Sequence, residues 1–197
     1  MNKIKKSNLL FNPFERFREQ RLIIVGLIAA VVASLLGYFF NGRFDGALDL
    51  HFTHTVEIWE PFIDNLIAIF SLFLIFSIVA KILNPKTRFV DIFAISLIAR
   101  LPLYLLTFSN FGNIQYEIGQ ALFLTVTEPA RNIPMDAVIL SVIFGALSIL
   151  AAIWMITLLY NGLKLVSNSK GAKLIVGFIF ALILAEALSK LIVYLIY

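Results

Sequence analysis

Long apolar runs alternate along the chain with short polar stretches that carry nearly all of its charge. A hydrocarbon core about 30 Å thick is crossed by about 20 apolar residues in helical form. Five segments reach that length: Leu22 to Phe40, Phe62 to Ala80, Phe89 to Phe108, Ala137 to Tyr160 and Leu174 to Ile196. The first and fourth are uncharged throughout. The second has Asp64 and Asn65 near its start, the third contains Asp91, Arg100 and Pro102, and the fifth carries Glu186 and Lys190. The pattern predicts an all-α fold, a polytopic membrane protein built as a five-span transmembrane helix bundle. A cytoplasmic, amphipathic basic tail (residues 1–21) precedes a single transmembrane domain (residues 22–197). The first span, 19 residues of unbroken hydrophobicity, is too long for a signal-peptide core and reads as a retained anchor.

Loop charge sets the expected orientation. Lys3, Lys5, Lys6, Arg16, Arg18 and Arg21 precede span one; Lys81, Lys86 and Arg88 follow span two; Lys164, Lys170 and Lys173 follow span four. The other two connections hold only Arg43 and Arg131, so twelve basic residues face two, alternating as five spans require. The positive-inside rule then puts the N-terminus in the cytoplasm and the C-terminus outside. The expected location is the cell membrane, which in a Gram-negative source means the inner membrane.

Composition narrows the function classes. Of 197 residues 60% are hydrophobic and 14% charged, and mean hydropathy is +0.93. A soluble domain has about 45–50% apolar and about 25% charged residues, so this chain cannot close a polar surface around a water-soluble core. The absence of cysteine removes disulfides, thiolate metal sites and Cys nucleophiles. The net charge of +4 reports orientation rather than a nucleic-acid partner. No Gly-x-Ser-x-Gly elbow or Gly-rich phosphate loop is present, and no Ser lies beside the two histidines, so no catalytic residue and no cofactor is expected. No internal repeat divides the chain, and five spans cannot split into equal inverted halves, which argues against an inverted-repeat transporter in one chain.

Charges at membrane depth are costly and mark a function or a buried pair. Arg100 and Glu186 each lie about eleven or twelve residues from the cytoplasmic start of their spans, roughly 16–18 Å deep at helical rise. An interhelical ion pair is the expected arrangement, with Lys190 one turn beyond Glu186 able to share its carboxylate. Pro102 removes the donor for the Ile98 carbonyl and predicts a kink beside Arg100. An unwound, charged point of this kind suits a structural clamp, or the ion site of a small transporter or channel component. Small residues recur at four-residue spacing as Ala29, Ala33 and Gly37, flanked by Gly26, Ala30 and Ser34, and again as Gly177, Ala181, Ala185 and Ser189. Such stripes let helix backbones approach closely, and packing within one chain is the default.

Two polar regions hold further candidates. In the tail, Asn12-Pro13 reads as a helix start, with Phe14, Phe17 and Arg18 at helical spacing; the segment is expected to be a juxtamembrane stop with ordinary positive-inside charge, the alternative being a helix lying in the membrane interface. In the first outer loop His51, His54 and Glu57 fall every third residue; on a helix they would share a face as a zinc-type ligand set. The spacing is not His-Glu-x-x-His, and a solvated loop without bound metal is the expectation. The second outer loop predicts a short interfacial helix, with Glu128 and Arg131 as a surface pair.

The layout as a whole resembles the Ypt-interacting protein (Yip) domain family in its bacterial branch. The residues that carry the likeness are Pro13-x-x-x-Phe17 at the opening, the Arg-bearing third span from Arg88 to Pro102, and Leu159-Tyr-Asn-Gly-Leu-Lys164 closing span four. Eukaryotic members bind Rab-type GTPases, but their Asp-Leu-Tyr-Gly-Pro motif and long N-terminal domain have no counterpart here. The resemblance therefore implies a multi-span, non-enzymatic protein without GTPase binding. Its expected partners are the lipid bilayer and other membrane proteins, or a second copy of itself. The first alternative is transport through Arg100, Glu186 and Lys190, and a more remote one is metal binding by the outer loop.

Overall fold

A computed structural model describes residues 9–127 and 134–197. The chain is a helix bundle with one very small hairpin. Helix α1 spans Glu19–Phe39; strands β1 (Gly42–Arg43) and β2 (His51–Phe52) form an antiparallel pair; α2 spans Glu60–Leu83 and α3 Phe89–Ile98. Then come α4 (Leu101–Leu106), a 3-10 stretch (Thr107–Asn113), α5 (Ile114–Thr127), α6 (Met135–Ser167) and α7 (Gly171–Ile196). Five of these passages are long and apolar enough to cross a membrane, α3 to α5 counting as one. Lipid offers no partner to backbone N–H and C=O groups, so runs this apolar close their hydrogen bonds within the helix.

The third passage departs from a single kinked helix over residues 89–108. Its first helix stops at Ile98, one turn ahead of Pro102, and the chain turns through Ala99 and Arg100 before α4 begins. Pro102 then sits in the first turn of α4, where its missing donor costs nothing. A second break follows where Gly112 and Asn113 take positive φ (67° and 63°) and redirect the chain into α5. That helix occupies the place of the expected interfacial one; Glu128 and Arg131 lie outside the described residues. The tail differs as well. In place of an amphipathic helix it has one 3-10 turn, Pro13–Glu15, without a side-chain cap from Asn12.

The middle of the bundle is α3, with Ile92, Ile95, Leu97 and Ile98 all buried. Around it stand α1, α2 and α6, and α7 packs along the far side of α2. Close approaches occur at glycines. A Cβ at Gly26 would lie 2.6 Å from Leu97 Cβ, and one at Gly162 would lie 2.7 Å from Ile95 Cγ1. On α1 the buried face is Gly26, Ala30, Ala33, Ser34 and Gly37, while Ala29 is half-buried at its edge. On α7 Ala181, Ala185 and Ser189 are buried and Gly177 approaches Val79 of α2. Most residues of both stripes are therefore buried within the chain. By contrast α6, 33 residues long, leaves most of its first half facing outward.

Candidate functional site

Several polar residues of the interior, Ser34, Asn65, Arg100 and Ser189, converge on the connection between α1 and α2. Residues 40–59 do not stay outside the bundle. The hairpin of β1 and β2 closes its neck, with Gly42 opposite Phe52 and Arg43 opposite His51, and residues 44–47 dip inward until Phe44 and Ala47 are fully buried. A dipping loop must satisfy its own backbone groups. Arg100, at the α3–α4 break, and helix α7 do this.

Arg100, fully buried at the α3–α4 break, supplies one side. Its Nη1 donates to the Ala47 carbonyl at 2.6 Å and the Gly46 carbonyl at 3.1 Å, and its Nη2 donates to Asn65 Oδ1 at 3.3 Å. The guanidinium lies 5.7 Å from the centroid of the Phe44 ring and 5.8 Å from that of Tyr104. Asn65 is oriented in turn by donating to Ser34 Oγ (2.9 Å), which donates to the Ala30 carbonyl (2.9 Å). Two buried polar atoms beside this network, Arg100 Nε and Tyr104 Oη, have no protein partner.

The other side comes from α7. The Leu48 N–H donates to Glu186 Oε2 and the Ala47 N–H to Ser189 Oγ, both at 2.8 Å. Gly46 makes this contact possible, because a Cβ there would lie 2.7 Å from Glu186 Oε1. Lys190 bonds Asp49 at 2.8 Å and Glu186 at 3.3 Å. Above the dip, Arg43 forks onto the buried Asp64, reaches Glu60 at 2.7 Å, and lies 4.3 Å from the centroid of the Tyr197 ring, which stacks on Trp59.

The expected Arg100–Glu186 ion pair is therefore replaced. Among the described residues no salt bridge joins them; each holds the opposite edge of the same peptide segment. Helical rise put the two at similar depth, but the loop between them was invisible to that arithmetic. Lys190 does share the Glu186 carboxylate. Asn65, Ser34, Arg43 and Asp64 are members of the network that sequence reasoning did not assign, although Asp64 and Asn65 stood out as polar residues at the mouth of an apolar span.

The histidines are not gathered. Residues 51–52 are strand, so the helical spacing that would align His51, His54 and Glu57 does not exist. His51 Nδ1 meets Asp45 at 2.9 Å, and His54 packs edge-on against Tyr116. The Asp45 hydrogen bond raises the His51 pKa above its ordinary value despite burial. For Asp45, burial pushes upward, but the hydrogen bond and charge of His51 outweigh it and the net shift is downward. Among the described residues no group of three or more His, Cys, Asp or Glu side chains is disposed to hold a metal ion.

Comparison with known proteins adds one finding to this geometry. Residues 8–188 match the Yip1 domain, nearly the whole chain. The chain belongs to the Yip1 domain family. No curated protein and no solved structure matches it. The Yip1 domain match takes in the dipping loop, Arg100, Asn65 and Glu186, whereas Ser189, Lys190 and Tyr197 fall just beyond it. In this Yip1-domain protein Arg100 and Glu186 act on the protein's own backbone and anchor a loop.

Proposed function

We propose that this protein is a non-enzymatic organising or interaction protein of the cell membrane, with its N-terminus cytoplasmic and its C-terminus outside. The observation that carries the reading is the complete burial of Arg100 under its own loop. A transport site needs a solvated approach to its charge. Here Ala99 and Ala185, the neighbours of Arg100 and Glu186, are both 0% exposed. Family membership agrees, and the twelve-to-two loop charge supports the orientation. With its interior charges bound internally, what the protein offers to partners is its lipid-facing helices and basic tail. Other membrane proteins or a second copy are the partners this surface suits.

The chain lacks cysteine, so single-cysteine variants report cleanly. In intact cells a membrane-impermeant maleimide should label Tyr197→Cys and leave Ala99→Cys and Ala185→Cys untouched until the protein is denatured. Labelling of native Ala99→Cys would reveal a watery route and favour transport. Labelling of Tyr197→Cys only after the membrane is opened would reverse the orientation.

A further inference from the structure

On the tail side of the bundle, α1 and α6 each pack on α3 without packing along one another. The gap between them lies over the α3–α4 break. The tail crosses this gap and is pinned on α6: the Trp154 indole N–H donates to the Leu10 carbonyl at 2.6 Å and the Asn161 amide to the Phe11 carbonyl at 2.9 Å. Beneath the crossing remains a cavity of about 320 Å³, at the small end of the roughly 300–1,000 Å³ of ligand sites.

Its walls are apolar from every direction: Leu9 and Leu10 from the tail, Val25 from α1, Ile98 and Leu101 at the break, Leu158 from α6. The polar atom of the Trp154 wall is already committed to Leu10, so among the described residues the walls away from Arg21 offer no free side-chain donor to a polar ligand. Among the described residues Arg21 is the one charged residue of the lining. It sits in the first turn of α1, where the apolar run begins, with Arg16 and Arg18 exposed just ahead of it. Among the described residues Arg21 makes no ion pair. The cleft is thus an apolar slot whose cation stands at the level where hydrocarbon gives way to headgroups.

We propose that this cleft binds one acyl chain of an anionic phospholipid, with the lipid phosphate held by Arg21. Apolar walls without free donors select a hydrocarbon chain, and an unpaired guanidinium at the headgroup level binds the phosphate and favours a headgroup of net negative charge over a zwitterionic one. The proposal goes beyond the organising role and does not depend on which side of the membrane the tail occupies.

Native mass spectrometry of the detergent-purified full chain, incubated with phosphatidylglycerol or phosphatidylcholine, tests it. Wild type should retain one phosphatidylglycerol after washing. It should prefer that lipid about fivefold, the weight of one arginine at an anionic surface. Val25 is 54% exposed, so Val25→Trp can fill the cleft from its open side, and the retained lipid should be lost. Arg21→Gln should keep the chain but bind the two lipids equally. In wild type, a diazirine in the phosphatidylglycerol acyl chain should crosslink to peptides containing Ile98 or Leu158. The proposal fails if wild type retains no lipid or shows no headgroup preference, if Val25→Trp retains as much as wild type, or if crosslinks fall only elsewhere. A dimer that Val25→Trp dissolves would make a second copy the occupant and overturn it too.

Discussion

The peptide units of residues 46–48 lie between a guanidinium and a carboxylate. Their carbonyls accept from Arg100, and their N–H groups donate to Ser189 and Glu186. This arrangement changes what the loss of each charge should do. Arg100→Leu leaves two buried carbonyls and Asn65 Oδ1 without their donor, and hydrogen bonds to charged groups contribute about 1.5–3 kcal/mol each. These losses are not additive, and a loss of about 3–5 kcal/mol in detergent stability, as when one partner of a buried charge is removed, is expected, with a smaller loss for Glu186→Leu, because Lys190 and Asp49 keep each other. For a direct ion pair, replacing both partners would restore stability. For a shared loop, the double variant should stay destabilised, by less than the sum, since a released loop has no second anchor to lose. Thermal unfolding of the four proteins decides between these, and recovery in the double variant would reinstate the direct pair. At the hairpin, His51 is held above its ordinary 6.5, so its contribution is complete below pH 6.5 and fades as pH rises through the raised value. Asp45 is held below its ordinary 3.8, so its contribution is complete above pH 3.8 and fades as pH falls through the lowered value. The hairpin should therefore be tightest between those limits and loosen toward alkaline pH. Both side chains are partly exposed, so the effect should stay below about 1 kcal/mol. Hydrogen exchange of residues 42–52 against pH measures it, and His51→Ala should flatten the alkaline slope.

At the scale of elements, helix position was legible and helix continuity was not. Long apolar runs mark α1, α2, α6 and α7 even where Asp64, Glu186 or Lys190 interrupts them, because a backbone in lipid has only the helix available to it. The third passage is different. Pro102 signals a break, but whether the chain bends at the proline or one turn ahead depends on what Arg100 must reach. The tail does start a helix at Asn12-Pro13, but only as one 3-10 turn, and the chain just ahead of it is held on α6 through the carbonyls of Leu10 and Phe11. Glycines divide sharply by neighbour. Gly26→Ala places a methyl 2.6 Å from Leu97 Cβ, an atom close to the backbone that cannot swing away; overpacking of this kind costs about 1–3 kcal/mol. Gly145 has nothing within 4 Å, so Gly145→Ala should gain up to about 1 kcal/mol from helix propensity alone. Opposite shifts in melting temperature are expected, and a neutral Gly26→Ala would contradict the close α1–α3 approach.

For the whole molecule, the sequence by itself determined the number of crossings, the membrane class and the family likeness. Each follows from quantities that add along the chain: apolar length against bilayer thickness, and residues matched in order. The loop charge that sets the proposed orientation is additive in the same way. The residues of the polar site were also visible one by one, since Arg100, Glu186, Lys190 and Asp64 are conspicuous within apolar runs. Their partners were not. Depth along a helix places two charges at one level without saying what lies between them, and opposite charge then makes a direct pair the simplest guess. Only the folded chain shows that the α1–α2 connection turns back into the bundle, bringing the carbonyls of Gly46 and Ala47 to Arg100 and the N–H of Leu48 to Glu186. That decision belongs to tertiary structure for a physical reason. Every residue except proline carries the same backbone donor and acceptor, so no sequence pattern marks which peptide groups a buried charge will take as its partners.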